Sequence, residues 1–183
     1  MRVFLAGATE DAPLMLEPRW TRENVEAIAA LEAATTGAQD IEGVVLRYGF
    51  YYGPGTWYDR AGTIATMVRK RRYPIIGTGQ GRSSFVHIDD AVDATVRALD
   101  RGGPGTYNIA GEPVAQRVWL PEAARLLGAK APRRAPAWLA RRLAGDAVVH
   151  YATTLPGNAN ERARAALGWQ PRGWREGFAE VFG

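Results

Sequence analysis

The stretch SFVHIDDAVDATVRAL, residues Ser84–Leu99, contains the pattern that decides the fold class. Its first five residues form a mostly apolar run with the length of a short strand. Asp89 or Asp90 can cap a helix that extends to about Arg101, and Gly102 follows where such a helix should end. The apolar residues expected on the inner face of this helix recur at helical spacing: Val92, Val96 and Leu99. A strand followed directly by an amphipathic helix is typical of α/β folds.

Strands and helices alternate on both sides of this stretch. Helices are predicted over Thr21–Thr36, Ala61–Arg72, Leu120–Leu127, Trp138–Leu143, Asn160–Leu167 and Trp174–Phe182. Strands are predicted over Ile41–Arg47, Tyr73–Gly77 and Thr106–Ala110, and an aromatic, glycine-rich loop over Tyr48–Tyr58. The first helix has an apolar stripe of Val25, Ile28, Ala29 and Leu31. This order predicts an α/β fold with a mostly parallel sheet over residues 1–110 and a second, helical lobe on the same core over residues 111–183.

Composition limits the class of protein. The 183 residues are 46 % hydrophobic and include six tryptophans, which is enough for one packed domain. No cysteine occurs, which excludes disulfides and thiolate metal sites. No run of eighteen apolar residues and no signal peptide is recognised, so we expect a cytoplasmic protein without a membrane segment.

The basic residues form two clusters, Arg69–Arg72 and Arg133–Arg134 with Arg141–Arg142, in a chain of net charge +4. Nucleic-acid binding would explain them, but no aromatic residues alternate with the arginines as a stacking platform requires. We therefore favour solvated helix surface and predict no nucleic-acid partner. Phosphate-bearing small molecules remain a third interpretation.

Two glycine-containing stretches suggest phosphate loops. MRVFLAGAT, residues Met1–Thr9, begins like one, but Gly7 stands alone and an acidic turn with Glu10 and Asp11 replaces the helix that should follow. GTGQGRSS, residues Gly77–Ser84, lacks the lysine of a nucleoside-triphosphate loop, and a strand follows it. A tight turn between strands is the favoured interpretation of this second stretch.

Few residues are suited to nucleophilic or metal chemistry. A triad of Ser84, His87 and Asp90 is disfavoured because near neighbours on one short strand seldom converge. Asp89, Asp90 and Asp93 are more simply explained by the preference for negative charge at a helix N-terminus. Two histidines and no cysteine predict no transition-metal site.

Four motifs in this order resemble one family, the NAD(P)-dependent epimerase/dehydratases, which are extended short-chain dehydrogenase/reductases. They are LRYGFYYGPG (Leu46–Gly55), SFVHIDDAVDATVRAL (Ser84–Leu99), GTYNIAGEPV (Gly105–Val114) and ERARAALGWQPRGWREGF (Glu161–Phe178). The resemblance implies a truncated Rossmann-like, doubly wound sheet with a small helical C-terminal substrate lobe, and NAD or NADP as cofactor. It implies cofactor contacts from Gly7, Tyr48 and Gly49. It implies substrate contacts from Phe50, Tyr52, Arg82 and His87.

The departures from the family pattern concern catalysis. About a hundred residues are absent between Thr9 and Glu10 relative to the family, at about 30 residues for each strand–helix–strand unit. The Tyr-x-x-x-Lys pair of the family is also absent. With Glu32 as the anchor, Asn24 occupies the tyrosine slot and Ile28 the lysine slot, so no catalytic residue is assigned. An amide does not titrate near neutral pH, and isoleucine has no charge with which to lower a neighbouring pKa.

Three hypotheses about function follow. The chain is a family member that is catalytically impaired by itself, an NAD(P)-dependent oxidoreductase or epimerase completed by another chain, or a module that binds a small or phosphorylated ligand. A homo-oligomer is left open. For the sheet, we expect Arg2–Ala6 to fill the slot of a missing strand beside Val44–Leu46, with Phe4 against Val45 and the first long helix as a right-handed crossover.

Overall fold

The computed structural model describes residues 7–13 and 22–183. Its helices are α1 Arg22–Thr36, α2 Thr63–Arg69, α3 Ile88–Arg101, α4 Gln116–Leu126, α5 Ala137–Ala144, α6 Asp146–Thr153, α7 Glu161–Leu167 and α8 Trp174–Phe182. Its strands are β1 Val44–Tyr48, β2 Phe50–Tyr52, β3 Ile75–Ile76, β4 Arg82–His87, β5 Gly105–Ile109, β6 Pro113–Ala115 and β7 Arg134–Ala135. The expected pairing of Arg2–Ala6, including the Phe4 contact, lies outside the described residues, as does the predicted start of the first helix at Thr21.

Most of the strand pairs are parallel. β1 pairs with β5, β2 with β4, and β3 with β7 in parallel, while β4 and β6 are antiparallel. The α/β class with mostly parallel strands is therefore confirmed. Within the described residues, however, the strands form three small sheets, with the orders β1-β5, β2-β4-β6 and β3-β7.

Helices cover both faces of the β1–β5 sheet. Because side chains alternate between the faces of a strand, Val44, Leu46 and Tyr48 share one face, and they pack against the core that α3 and α7 form. Arg47 projects from the opposite face, where its guanidinium contacts Glu32 of α1 at 2.5 Å. A parallel sheet with helices on both faces is the Rossmann-like, doubly wound arrangement.

Helix α3 packs through a different face from the predicted one. Its buried residues are the small ones: Ala91, Ala94 and Ala98. The predicted inner-face residues Val92, Val96 and Leu99 are 58 %, 52 % and 83 % exposed, so that prediction is wrong. The alanine face allows the helix to approach the bulky Trp169 and Leu167 closely, and these large side chains supply the apolar surface that the helix covers.

The predicted cap of α3 is also corrected. His87 is the N-cap residue, and its Nδ1 accepts a hydrogen bond from the backbone N–H of Asp89 at 3.2 Å. Asp89 and Asp90 lie in the first turn of the helix, where their negative charge is favourable, as expected. Gly102 ends the helix, as predicted.

Helix α1 lies on the sheet without burying any residue among those described. Val25 and Ala29 are half-buried, but Ile28 and Leu31 are 55 % and 68 % exposed. Only half of the predicted apolar stripe therefore contacts the sheet. The predicted stripe is wider than the surface that α1 buries, because in the described residues α1 packs mainly against the two strands β1 and β5.

An aromatic core joins the remaining elements. Phe85 of β4 contacts Trp119 of α4 and Phe178 of α8, with ring centroids 5.3 and 5.0 Å apart. Residues 77–81 connect β3 to β4, and the Gly79 N–H donates to the Ile76 carbonyl at 2.9 Å, so the predicted turn between strands is confirmed. Sequence analysis missed β2, inside the predicted loop Tyr48–Tyr58, and also β6, β7 and α6. It placed the second arginine cluster on helix surface, whereas Arg134 begins β7.

Two properties of the described residues concern ligands and membranes. No helix in this part of the chain is long and apolar enough to cross a membrane. No group of three or more histidine, aspartate or glutamate side chains is placed to hold a metal ion in residues 7–13 and 22–183.

Candidate functional site

The main candidate site is an apolar cavity of about 470 Å³ between the aromatic core and helices α5 and α6. Five aromatic side chains line it: Phe50, Tyr58, Tyr73, Trp119 and Tyr151. The ring centroids are 6.4 Å apart between Tyr151 and Phe50, 6.4 Å between Phe50 and Tyr58, 6.0 Å between Tyr58 and Trp119, and 5.7 Å between Trp119 and Tyr73. These spacings suit edge-to-face aromatic contacts, so the rings form one continuous wall, which we call the aromatic wall.

The opposite side of the cavity is aliphatic. Leu139 and Leu143 of α5 and Val148 of α6 line it. Of the polar residues in the lining, Gln116 already has its partners. Its Oε1 accepts from the backbone N–H of Ile76 at 3.0 Å, and its Nε2 donates to the Pro74 carbonyl at 3.4 Å. This glutamine therefore fixes β3 and has little capacity left for a ligand.

Tyr58 and Tyr73 carry the phenol groups of two neighbouring parts of the cavity lining. Burial raises the pKa of both hydroxyls, and the effect is larger at Tyr58. Both phenols therefore stay protonated at neutral pH. They can position a ligand, but neither is suited to act as a general base.

A second, more open groove of about 430 Å³ lies beside the cavity. Gly49, Tyr51, Trp57 and Ile88 line it, and Phe50 belongs to both linings. Trp57 is 76 % exposed, so its indole is available to a bound molecule. Phe50 therefore lies between the cavity and the groove, so a substrate could bind in one of these spaces and a second molecule in the other.

The residues predicted to contact the cofactor lie in two places. Tyr48 and Gly49 are neighbours at the carboxyl end of β1. The Tyr48 hydroxyl lies 2.5 Å from Thr95 Oγ1, and a Cβ on Gly49 would lie 2.3 Å from the Ser84 carbonyl oxygen. Gly49 lines the groove, whereas Gly7 packs against another part of the chain.

Gly7 is enclosed by protein backbone. A Cβ at this position would lie 2.5 Å from the carbonyl carbon of Asn158. The next residue, Ala8, donates its N–H to Gly157 at 2.8 Å and accepts from Ala159 at 3.0 Å. Thr9 and Ala12 then close a turn, with 3.1 Å between the Ala12 nitrogen and the Thr9 oxygen, and no helix begins within residues 7–13.

The acidic turn after Gly7 covers the outer edge of β5. The Glu10 carboxylate is only 5 % exposed and accepts the Asn108 backbone N–H at 2.8 Å. The Gly105 N–H and the Ile109 carbonyl are hydrogen-bonded on the side of β5 that faces β1. Because the backbone groups of successive strand residues point in opposite directions, the Asn108 N–H points away from β1. Arg162 contacts both Glu10 and Asp11. The turn therefore protects a sheet edge.

The four predicted substrate residues do not converge on one site. Only Phe50 lines the cavity. Tyr52 and His87 are 1 % and 2 % exposed, and their ring centroids lie 5.1 Å apart within the core. Arg82 is half-buried at the start of β4.

The disfavoured triad does not form. The Ser84 hydroxyl accepts from the Asn158 backbone N–H at 2.9 Å, and the Nδ1 of His87 caps α3. Asn24 and Ile28, in the slots of the family's Tyr-x-x-x-Lys pair, are both exposed on α1. Within the described residues, α1 contacts β1 and β5 rather than the elements that form the cavity.

Sequence analysis did not find the cavity. Its aliphatic side comes from α5 and α6, and α6, which carries Tyr151, was not predicted at all. Leu139 and Leu143 have the i, i+4 spacing of one helix face, which was a usable signal. Nothing in the local sequence indicates that Trp119 and Phe50, far apart in the chain, form one wall.

Comparison with known proteins gives the following matches. Residues 25–110 match the model of the NAD dependent epimerase/dehydratase family. The 3-diazoavenalumate denitrifying reductase of a Streptomyces species is 45 % identical over 175 residues, which cover 92 % of this chain and 57 % of that protein. The chain thus spans little more than half the length of this relative.

Solved structures show the same fold at low sequence identity. The human epimerase family protein SDR39U1 (isoform 2), solved with NADPH, superposes with a TM-score of 0.71 at 20 % identity, over 96 % of this chain and 59 % of that one. A double mutant of the dTDP-glucose 4,6-dehydratase DesIV from Streptomyces venezuelae, solved with NAD and DAU bound, gives 0.64 at 20 % identity, over 97 % and 53 %. These neighbours confirm a shortened Rossmann-like fold.

Proposed function

Because residues 25–110 of this chain match the model of the NAD dependent epimerase/dehydratase family, we propose that the protein binds a small molecule in the cavity between the aromatic core and helices α5 and α6. We also propose that it does not by itself catalyse hydride transfer. One observation carries the proposal. The cavity with its aromatic wall is complete within the described residues, while the Tyr-x-x-x-Lys pair that would serve it occurs nowhere in the sequence.

The cavity supports binding by its size and lining. A volume of about 470 Å³ falls within the range of sites for small organic molecules. Its lining is predominantly aromatic and aliphatic, so a ligand would gain free energy chiefly by removing apolar surface from water. The rigid elements β3, α4 and α5 contribute to the lining, which favours a preformed site.

The cofactor expected from the family is NAD or NADP, and the backbone at Gly7 does not fit its pyrophosphate. Such a loop needs free N–H groups and an open approach to the glycine. Here the Ala8 N–H is already donated to Gly157, and the carbonyl carbon of Asn158 occupies the space beside Gly7. We therefore assign no dinucleotide to this turn and route no reaction step through one.

No residue of the cavity replaces the missing proton donor. Asn24 cannot exchange a proton near neutral pH, and Ile28 cannot lower the pKa of a neighbour. Tyr58 and Tyr73 lie in the cavity, but burial raises their pKa, which makes each phenol a weaker acid than an exposed tyrosine and leaves no phenolate to act as a base near neutral pH. Ligand binding without turnover is the activity that remains.

The test is a titration of the purified chain with NADH and with NADPH, followed by cofactor fluorescence and by absorbance at the nicotinamide band. We expect no saturable fluorescence enhancement and no oxidation of either cofactor, because no phosphate loop and no acid–base pair is available. The human epimerase family protein SDR39U1, which was solved with NADPH, is the positive control for cofactor binding. Saturable NADH or NADPH binding with turnover by this chain alone would refute the proposal.

A further inference from the structure

We propose that the ligand of the cavity is a flat aromatic molecule carrying one acidic group, with its rings against the aromatic wall and the acid at Arg72. This inference rests on the proposed function, since it names the chemical class that the same cavity would take. It depends on where the structure places two sets of basic residues that are about sixty positions apart in sequence.

The fold brings the two basic segments together at one edge of the cavity. Arg71 donates from Nε to the Ala131 carbonyl at 3.2 Å, and the Ile75 N–H donates to the Arg133 carbonyl at 2.8 Å. Arg134 is the register partner of Ile75 in the β3–β7 pair. We call the resulting group the basic rim; its members are Lys70, Arg71, Arg72, Arg133 and Arg134.

The backbone at the start of the rim has an unusual conformation. Arg71 has a φ of 53°, and within the described residues it is the one residue other than glycine in the left-handed region. Such a conformation is unfavourable for a residue with a Cβ. The turn that it forms ends α2 and leads directly to Arg72, whose side chain lines the cavity. The contacts around Arg71 thus maintain an unfavourable backbone conformation, and this conformation turns the chain at the edge of the cavity.

Arg72 has its donors available. Its guanidinium makes no hydrogen bond or ion pair to any residue in the described parts of the chain, and the residue is exposed. A neighbouring Tyr73 ring belongs to the aromatic wall, so a molecule lying on that wall would extend toward Arg72. A carboxylate there could form a charge-assisted hydrogen bond while keeping part of its hydration.

The lining favours a single acidic group over a diphosphate. Arg72 is the only cationic residue among those that line the cavity within the described residues. The polar groups that remain are neutral: the Ser83 hydroxyl, the already paired Gln116, the hydroxyls of Tyr58, Tyr73 and Tyr151, and the indole N–H of Trp119. Removing several phosphate charges from water costs far more than one guanidinium and a few neutral groups can offset. One charge at the exposed mouth avoids that cost, and the apolar interior takes the uncharged rings.

The experiment measures binding by isothermal titration calorimetry with three probes: 2-naphthoate, its uncharged methyl ester, and uridine diphosphate. The variants are Arg72→Gln, which removes the charge at the mouth, and Lys70→Gln, a matched control because Lys70 is exposed in the same rim and does not line the cavity. Leu139→Trp fills the cavity and tests the location of binding. A thermal melt of each variant confirms that it is folded.

We expect 2-naphthoate to bind about tenfold more tightly than its ester and more tightly than uridine diphosphate. Arg72→Gln should weaken binding of 2-naphthoate about tenfold and leave the ester unchanged. Lys70→Gln should leave both affinities within twofold, and Leu139→Trp should abolish binding of both.

Other results would overturn the inference in distinguishable ways. Equal binding of acid and ester, with no effect of Arg72→Gln, would remove the role of the acid while the proposed small-molecule function stands. Tighter binding of uridine diphosphate would assign the cavity to nucleotides. Binding of none of the three, together with saturable NADH binding and turnover, would refute the inference and the proposed function at once.

Discussion

Asp90 at the start of α3 and Arg172 in the segment before α8 form a two-point ion pair. The Arg172 Nε and Nη2 atoms donate to the carboxylate at 3.1 and 2.9 Å, and the Arg172 backbone N–H adds a third bond at 3.0 Å. The Trp169 indole N–H donates to the Asp90 carbonyl at 2.9 Å. The pair raises the pKa of Arg172, because its cationic form is stabilised by the carboxylate. Asp90 thus links the segment before α8 to α3, the helix that follows β4.

Replacement of Asp90 should destabilise the fold. Both side chains are largely covered, at 14 % exposure for Asp90 and 23 % for Arg172, so Asp90→Asn removes the buried carboxylate of Arg172 and leaves it only the exposed Glu180 as a counter-charge. We expect a loss of about 2 kcal/mol in the free energy of unfolding, measured by urea denaturation. Asp93→Asn is the matched control, because Asp93 pairs with Arg97 on the exposed side of α3, and it should cost about 0.5 kcal/mol or less. Equal losses would contradict a special role for Asp90.

Gly53 and Gly55 offer a matched test of close packing around His87. Both have positive φ, at 114° and 77°, so alanine is strained at either position. A Cβ on Gly53 would lie 2.7 Å from the His87 Nε2, whereas one on Gly55 would meet nothing within 4 Å. We expect Gly55→Ala to cost about 1 kcal/mol and Gly53→Ala about 3 kcal/mol. Thermal denaturation of the two variants in parallel measures the difference, and similar melting temperatures would show that His87 can move aside.

The face that α3 buries can be tested by two adjacent substitutions. Leu99→Gln should change the free energy of unfolding by less than about 0.5 kcal/mol, because Leu99 is 83 % exposed. Ala98→Gln should cost about 2–3 kcal/mol, because it forces a long polar side chain into the packed interface with α7. Glutamine at both sites keeps helix propensity equal. A larger loss of unfolding free energy for Leu99→Gln than for Ala98→Gln would support the inner face predicted from the sequence.

The Tyr52 hydroxyl is buried and has no hydrogen-bond partner in the described structure. Burial raises its pKa well above the ordinary tyrosine range. Because an unpaired buried hydroxyl costs free energy, Tyr52→Phe should leave stability unchanged or increase it by about 1 kcal/mol. Tyr107→Phe is the control, since the Tyr107 hydroxyl donates to Gly103 at 2.9 Å and its removal should destabilise. A clear loss for Tyr52→Phe, in the same denaturation assay, would reveal a partner for that hydroxyl.

The ion pair between Glu32 and Arg47 predicts a dependence of stability on pH. The hydrogen bond from Arg47 lowers the pKa of Glu32 below its usual 4.5. A carboxyl whose pKa is lower in the folded state stabilises the fold above its unfolded pKa, and this stabilisation is lost as the pH falls through the folded value. Glu32→Gln should therefore cost about 1 kcal/mol at pH 7 and almost nothing well below pH 4.

The measurement is a series of urea denaturations from pH 7 to pH 3. Glu26→Gln is the control, because Glu26 is exposed on the same helix. A difference between wild type and Glu32→Gln that stays constant across the series would contradict the assigned role of the carboxylate.

The local sequence determined the elements and the class of the fold. Val44–Tyr48 and Gly105–Ile109 have the apolar pattern of strands, and Ile88–Arg101 that of a helix, so these elements were predicted with ends that differ by at most three residues. Their order along the chain was enough for an α/β fold, because strand–helix–strand succession leaves few arrangements. The absence of a Tyr-x-x-x-Lys pair is likewise a property of the sequence alone.

Only the tertiary structure decided which faces are buried and where a ligand could bind. On α3 the alanines and the larger Val92, Val96 and Leu99 lie on different faces, and helical spacing alone cannot tell which face meets the sheet. The cavity combines Phe50, Trp119 and Tyr151, which are separated by more than thirty positions from one another. Periodicity reports contacts within one turn of a helix or strand, whereas burial and cavities depend on side chains that only folding brings together.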